Sequence, residues 1–203
     1  DPTKIRKSNL YGYGRKLMNI INAIINLINT TSRCVMNNTD GSNRANNMGE
    51  GLEKYIKDIF ANTIYSSSND RKTIQHQTFS YLGSKNYSPD AMLRGGDAIE
   101  IKKIENRSSD IALNSSHPKQ KLSKQDNRVA TACKTARDDS DWEERDIIYV
   151  VGYVPKGTDT LKMLGMVYGT EYCASQDVYE SIFHTVKDKI AEISNFEFTE
   201  TNE

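Results

Sequence analysis

Ile99, Ile101 and Ile104 alternate with Glu100 and Lys102 directly after a Gly95-Gly96 pair. No other run constrains the fold as tightly. Period-two alternation predicts a strand, and residues two apart on a strand share a face. Glu100 and Lys102 therefore point the same way. Pro89-Asp90 lies upstream on a short preceding strand, and the glycine pair supplies the turn. Register then decides the chemistry, because a one-residue slip flips every side chain. A two-residue loop of Gly95-Gly96 would put Asp90 on the wrong face. A three-residue loop, Gly95-Gly96-Asp97, pairs Arg94 with Ala98. It sets Asp90 opposite Lys102 and diagonal to Glu100. That loop, or an equivalent bulge, is expected.

Two carboxylates on one face repel unless a cation neutralises them. A hard ion such as Mg²⁺ takes carboxylate and water oxygens and reaches substrate phosphates. It also lowers the pKa of a bound water. Lys102 would position the attacking water and stabilise developing negative charge. Asp90 and Glu100 are thus the expected metal ligands and Lys102 the catalytic lysine of phosphodiester hydrolysis. By spacing alone this Pro-Asp…Glu-x-Lys pattern is weak, and an exposed hairpin of mixed charge is the stronger reading. The flanking sequence changes that balance.

Residues 18–29 predict a helix with Ile21, Ile24, Ile25 and Ile28 in one stripe, for the core or for a dimer surface. A second helix spans roughly 43–62, with Leu52, Ile56, Ile59 and Phe60 inward. Glu53 lies within that apolar stripe, where a carboxylate is costly unless paired or bound to a cation. It is either a third acidic group of the site or a flank residue paired with Lys57 at i+4. Asn43, Arg44 and Asn46 at the helix start carry hydrogen-bonding groups that could touch DNA, solvated surface being the default. Residues 74–82 read as a strand. Asn114, Ser115, Ser116, His117, Lys119 and Lys121 form a polar loop of the residue types that meet phosphates and base edges. Residues 128–137 suggest a short helix. Ile147 to Val151 is a nearly continuous apolar run, hence a central strand, and 161–168 is another. Residues 175–194 predict a closing helix with Val178, Ile182, Val186, Ile190 and Ile193 inward. The order gives an α/β domain, a mixed sheet flanked by helices.

The chain's 203 residues fit one domain, and its net charge of zero gives no bulk argument for nucleic acid. Residues 1–17 are basic and polar and read as a loose arm, with the nuclease domain over 18–203. Cys34, Cys133 and Cys173 form no metal-spaced cluster and suit a reduced, cytoplasmic protein. No apolar stretch is long enough to span a membrane.

The stretches Met18–Ile28, Asn43–Asn46 with Leu52–Asp58, Phe79–Gly83, Pro89–Arg94 with Gly96–Glu105, and Ala112–Lys119 carry a resemblance, extended by Trp142–Glu144 and Val167–Gly169 with Tyr172–Ser175. The chain resembles the NgoPII-type Type II restriction endonucleases of the PD-(D/E)xK nuclease superfamily. The resemblance implies a restriction-endonuclease-like mixed sheet and Mg²⁺-dependent cleavage of double-stranded DNA at a short palindrome, GGCC. Carried over by position, it implies Asp90 and Glu100 as metal ligands, Lys102 as the catalytic lysine and Glu53 as the helical glutamate of the site. Arg94 joins the expected DNA contacts. A palindrome suits a two-fold homodimer, and a cognate DNA methyltransferase would belong to the same system. The competing readings are a repair or junction-cleaving nuclease on the same fold, and a non-catalytic DNA-binding protein.

Overall fold

A computed structural model of the chain describes residues 17–35, 44–84, 87–111, 118–137 and 139–193, the side chains of 44–48 excepted. Helices α1 (Ile20–Asn29), α2 (Arg44–Ala61) and α3 (Ser68–Thr78) come first, followed by strands β1 (Phe79–Tyr81), β2 (Ala91–Leu93) and β3 (Ala98–Ile104). Then come β4 (Lys121–Ser123), α4 (Thr131–Lys134), β5 (Glu144–Tyr153), β6 (Met163–Tyr168), α5 (Gly169–Tyr172) and α6 (Gln176–Ala191). The sheet runs β1-β2-β3-β5, and the far edge of β5 is shared by β4 and β6. The β3–β5 pair is parallel and the other pairs are antiparallel, so the sheet is mixed and helices flank it.

Strand β5 carries Ile147, Ile148, Tyr149 and Val150, all buried, as expected of a strand with neighbours on both edges. Its alternating residues feed two cores. Ile148 and Val150 join Ile99 and Ile101 of β3 and Leu52, Ile56, Ile59 and Phe60 of α2. Ile147 and Tyr149 join Ala98, Met92, Leu122 and Trp142 on the other side. Glu100 and Lys102 share Ala98's side of β3.

Four expectations need correction. Only Phe79–Tyr81 of the segment 74–82 is strand; the rest belongs to α3. The helix starts where Ser67 Oγ accepts from the Asp70 N–H, a cap that satisfies an otherwise orphan donor. In α1 the stripe Ile21, Ile24, Ile25 and Ile28 is exposed, and Ala23 is buried instead. Ile20 and Leu27 pack beside Ala23. Asn26 turns inward and donates to the Ile59 carbonyl at 2.8 Å, which satisfies its amide. In α6, Val178, Ile182 and Val186 are exposed rather than inward, as is Ile193 just beyond the helix. Lys121, expected at the end of a polar loop, opens the short edge strand β4.

Candidate active site

The central hairpin closes between Leu93 and Asp97. The Leu93 N–H donates to the Asp97 carbonyl at 2.9 Å, and the Gly96 N–H donates to the Leu93 carbonyl at 3.0 Å. The three-residue loop is therefore Arg94-Gly95-Gly96, one residue earlier than expected, with Gly95 in the left-handed region at φ 65°. Met92 pairs with Ala98 and Ala91 with Ile99. Continuing that register sets Asp90 level with Glu100, not Lys102. The pairing moves by two residues, so the face is kept.

Asp90 thus meets Glu100 and Lys102 on one side of the sheet. One Asp90 oxygen, Oδ2, accepts the Ile101 N–H at 2.6 Å. Burial, then the charges of Glu100 and Glu53, push the Asp90 carboxyl up to about 7. Glu100 is buried and held at both oxygens. Lys102 Nζ lies 2.8 Å from Oε1, and Ser88 Oγ donates to Oε2 at 2.9 Å. Ser88, immediately before Pro89-Asp90, was not singled out by sequence. Its position beside the acidic motif was the available signal.

Glu53 has the i+4 pairing expected of a flank residue. It pairs with Lys57 at 3.3 Å, the i+4 partner, and its charge still reaches Asp90. Lys57 also donates to the Leu82 carbonyl at 3.0 Å. The next residue, Gly83, has φ 86° and approaches Asp90 so closely that a Cβ there would lie 2.3 Å from the Asp90 carbonyl oxygen. Gly83 therefore lets two backbone segments touch beside the carboxylate.

The remaining candidates separate. Arg94 turns into the protein: Nη1 donates to the Arg137 carbonyl at 2.9 Å, and Nη2 donates to those of His76 and Phe79 at 3.0 Å each. These bonds tie the hairpin to α3 and to the segment after α4, a structural role that the sequence did not signal. Lys119 is also sunk, with a side chain 10% exposed and 3.5 Å from Asp126. Burial holds its ammonium below the ordinary lysine range, partly offset by Asp126. Its N–H donates to Tyr149 Oη at 2.7 Å, and Tyr149 pairs with Glu100 across β3–β5. Lys119 thus supports the strand beside the site from below the surface. Lys121 is half-exposed on β4, between Glu144 and Asp146. Arg44 and Asn46 lie on α2. Asn43 and Asn114, Ser115, Ser116 and His117 lie outside the described residues.

Among the described residues no three acidic, histidine or cysteine side chains gather closely enough to hold a metal unaided. Two converging carboxylates with crowded negative charge fit a different type of site. Mg²⁺ characteristically takes one or two carboxylates and completes its shell with water and phosphate. Asp90 and Glu100 supply that oxygen pair.

A profile of the NgoPII restriction endonuclease family matches residues 18–203. The chain belongs to that family. The Type II restriction enzyme NgoPII of Neisseria gonorrhoeae is 48% identical over 186 residues, which cover 92% of this chain and 66% of that protein. This NgoPII-family chain therefore spans just under two thirds of its relative's length. No solved structure matches it. Among the described residues, no helix is long and apolar enough to cross a membrane.

Proposed function

We propose that the chain is the nuclease portion of a Type II restriction endonuclease that cleaves double-stranded DNA at a short palindrome, GGCC, with Mg²⁺. The observation that carries this reading is the convergence of Asp90, Glu100 and Lys102 on one sheet face in a chain 48% identical to a Type II restriction enzyme.

Asp90 and Glu100 would hold the ion, Asp90 steadied by the Ile101 N–H and Glu100 by Ser88. When bound, Mg²⁺ supplies activation of water and neutralisation of charge on the phosphoryl group. Lys102 stands 2.8 Å from Glu100, where its ammonium can orient the attacking water and offset the charge that builds on the phosphate oxygens. A new phosphorus–oxygen bond forms to water as one ester bond breaks; the water's proton passes to solvent, and the departing ester oxygen takes up a proton from solvent to leave as a hydroxyl. Glu53, though paired with Lys57, still places negative charge near enough to Asp90 to be felt there.

A palindromic site calls for two copies related by a two-fold axis. The exposed isoleucine stripe of α1 supports self-association, since a contiguous apolar face on a lone chain is a liability. A cognate methyltransferase protecting the host sites and a cytoplasmic location complete the reading. The deciding experiment is digestion of a plasmid of known sequence with Mg²⁺, beside an Asp90→Ala control. Discrete fragments ending at GGCC and lost in the variant are expected. Fragments ending at another palindrome would discard the specificity, and no cleavage by the native chain would discard the activity.

A further inference from the structure

Helices α2 and α3 enclose a cleft of about 380 Å³, lined by polar side chains, of which the catalytic reading uses only Glu53 and its partner Lys57. Glu53, Lys54 and Lys57 line it from α2, and Arg71, Lys72 and Gln75 line it from α3. Spacings of three and four bring these residues onto the facing sides of the two helices. Several of them are already committed. Lys57 pairs with Glu53, and Arg71 Nε pairs with Asp58 at 3.0 Å. Asp58 also takes Gln75 Nε2 at 3.0 Å and Thr63 Oγ1 at 2.6 Å, so the floor is a closed network. Glu50 at the rim is engaged as well. Among the described residues Lys54 and Lys72 have no ion-pair partner. Two lysines without ion-pair partners, one from each helix, thus line a cleft in which Glu53 and Asp58 are already paired.

The cleft ends next to the candidate active site. Lys57 bridges Glu53 and the Leu82 carbonyl, and Gly83 packs against the backbone of Asp90. A duplex carries one phosphate charge per about 1.7 Å of axis. A strand held for cleavage at Asp90 must run further phosphates past its immediate surroundings.

We propose that the α2–α3 cleft seats a backbone phosphate of the bound duplex, flanking the scissile bond, through Lys54 and Lys72. This rests on the nuclease reading and assigns the cleft a sequence-independent role. Such contacts fix orientation without reading bases.

The test is binding of a GGCC duplex and a scrambled duplex, in Ca²⁺ to suppress turnover, across a salt series. Native chain and Lys54→Ala/Lys72→Ala are compared. Both side chains reach the cleft from helix surfaces, so the variant should fold. Its slope of log affinity against log salt should fall by about 1, with the same preference for GGCC. A second measurement uses duplexes each carrying one neutral methylphosphonate. At one flanking position the native chain should lose affinity and the double variant should not. An unchanged slope, or no position at which the penalty disappears, overturns the proposal while leaving a cleaving native enzyme intact. A variant that loses its GGCC preference also overturns it, since the lysines would then read bases. A native chain that neither binds nor cuts any duplex overturns the nuclease reading and the proposal together.

Discussion

Ser88 Oγ donates to Glu100 Oε2 at 2.9 Å, leaving Oε1 to Lys102. The serine thus orients a carboxylate without itself being able to bind a hard cation strongly. Groups that orient metal ligands typically contribute 10–100-fold to metal affinity or activity. Ser88→Ala should therefore raise the Mg²⁺ concentration that half-saturates cleavage by about tenfold, with duplex affinity in the absence of metal unchanged. A merely structural serine would lower thermal stability and leave the Mg²⁺ dependence alone.

The crowding at Asp90 has a consequence for stability. Its carboxyl is raised from 3.8 to about 7 by burial, and then by the negative charges of Glu100 and Glu53. The folded state therefore holds the proton better than the unfolded chain does. Stability from this group is fully present below about pH 4, falls as pH rises towards 7, and is flat above. Asp90→Asn keeps an acceptor for the Ile101 N–H and removes the charge. In chelator-treated buffer it should melt a few degrees above the native chain at pH 8, the gap closing towards pH 4. Equal melting temperatures at both pH values would show that Asp90 titrates normally.

Arg94 is expected on DNA, and its contacts give it a structural role. A guanidinium donating to three carbonyls holds the hairpin against α3 and the segment after α4. Hydrogen bonds from charged groups contribute about 1.5–3 kcal/mol each, and their loss is not additive. Arg94→Ala should lower unfolding free energy by about 3 kcal/mol, read from the urea midpoint. The salt slope of DNA binding should stay the same where the variant is folded. A slope reduced by about one would return Arg94 to the phosphate contacts.

Sequence made the site legible because its logic is local. Period-two alternation at Ile99–Ile104 and a glycine-closed turn put Asp90 and Glu100 on one face even though the loop sits one residue early. Parity survives such a shift; side-chain partners do not. Helical faces were less legible. The isoleucines of α1 form a clear stripe, yet the protein buries Ala23 and lets Asn26 bond to the Ile59 carbonyl. Periodicity reveals a stripe and is silent on what covers it. The α3 helix is hidden in the sequence because Ile74, His76 and Thr78 mimic alternation, and its main signal is the short cap at Ser67–Asp70. Buried roles for Lys119 and Arg94 depend on contacts 7 to 43 residues distant in sequence, which no spacing encodes.

Gly83 and Gly157 separate conformational strain from contact. Both adopt left-handed backbone, at φ 86° and 79°. A Cβ at Gly157 would meet nothing within 4 Å, whereas one at Gly83 would lie 2.3 Å from the Asp90 carbonyl oxygen. A left-handed non-glycine residue costs about 1–2 kcal/mol. Gly157→Ala should cost only that and leave cleavage unchanged. Gly83→Ala bears the same strain and must also push back the backbone of Asp90, whose carboxylate is tied to Ile101. It should destabilise clearly more in urea and reduce cleavage by at least tenfold (~1.4 kcal/mol of barrier) while still folded. If the two alanines cost the same and both cleave normally, the close approach of Gly83 to Asp90 does not hold the carboxylate in place.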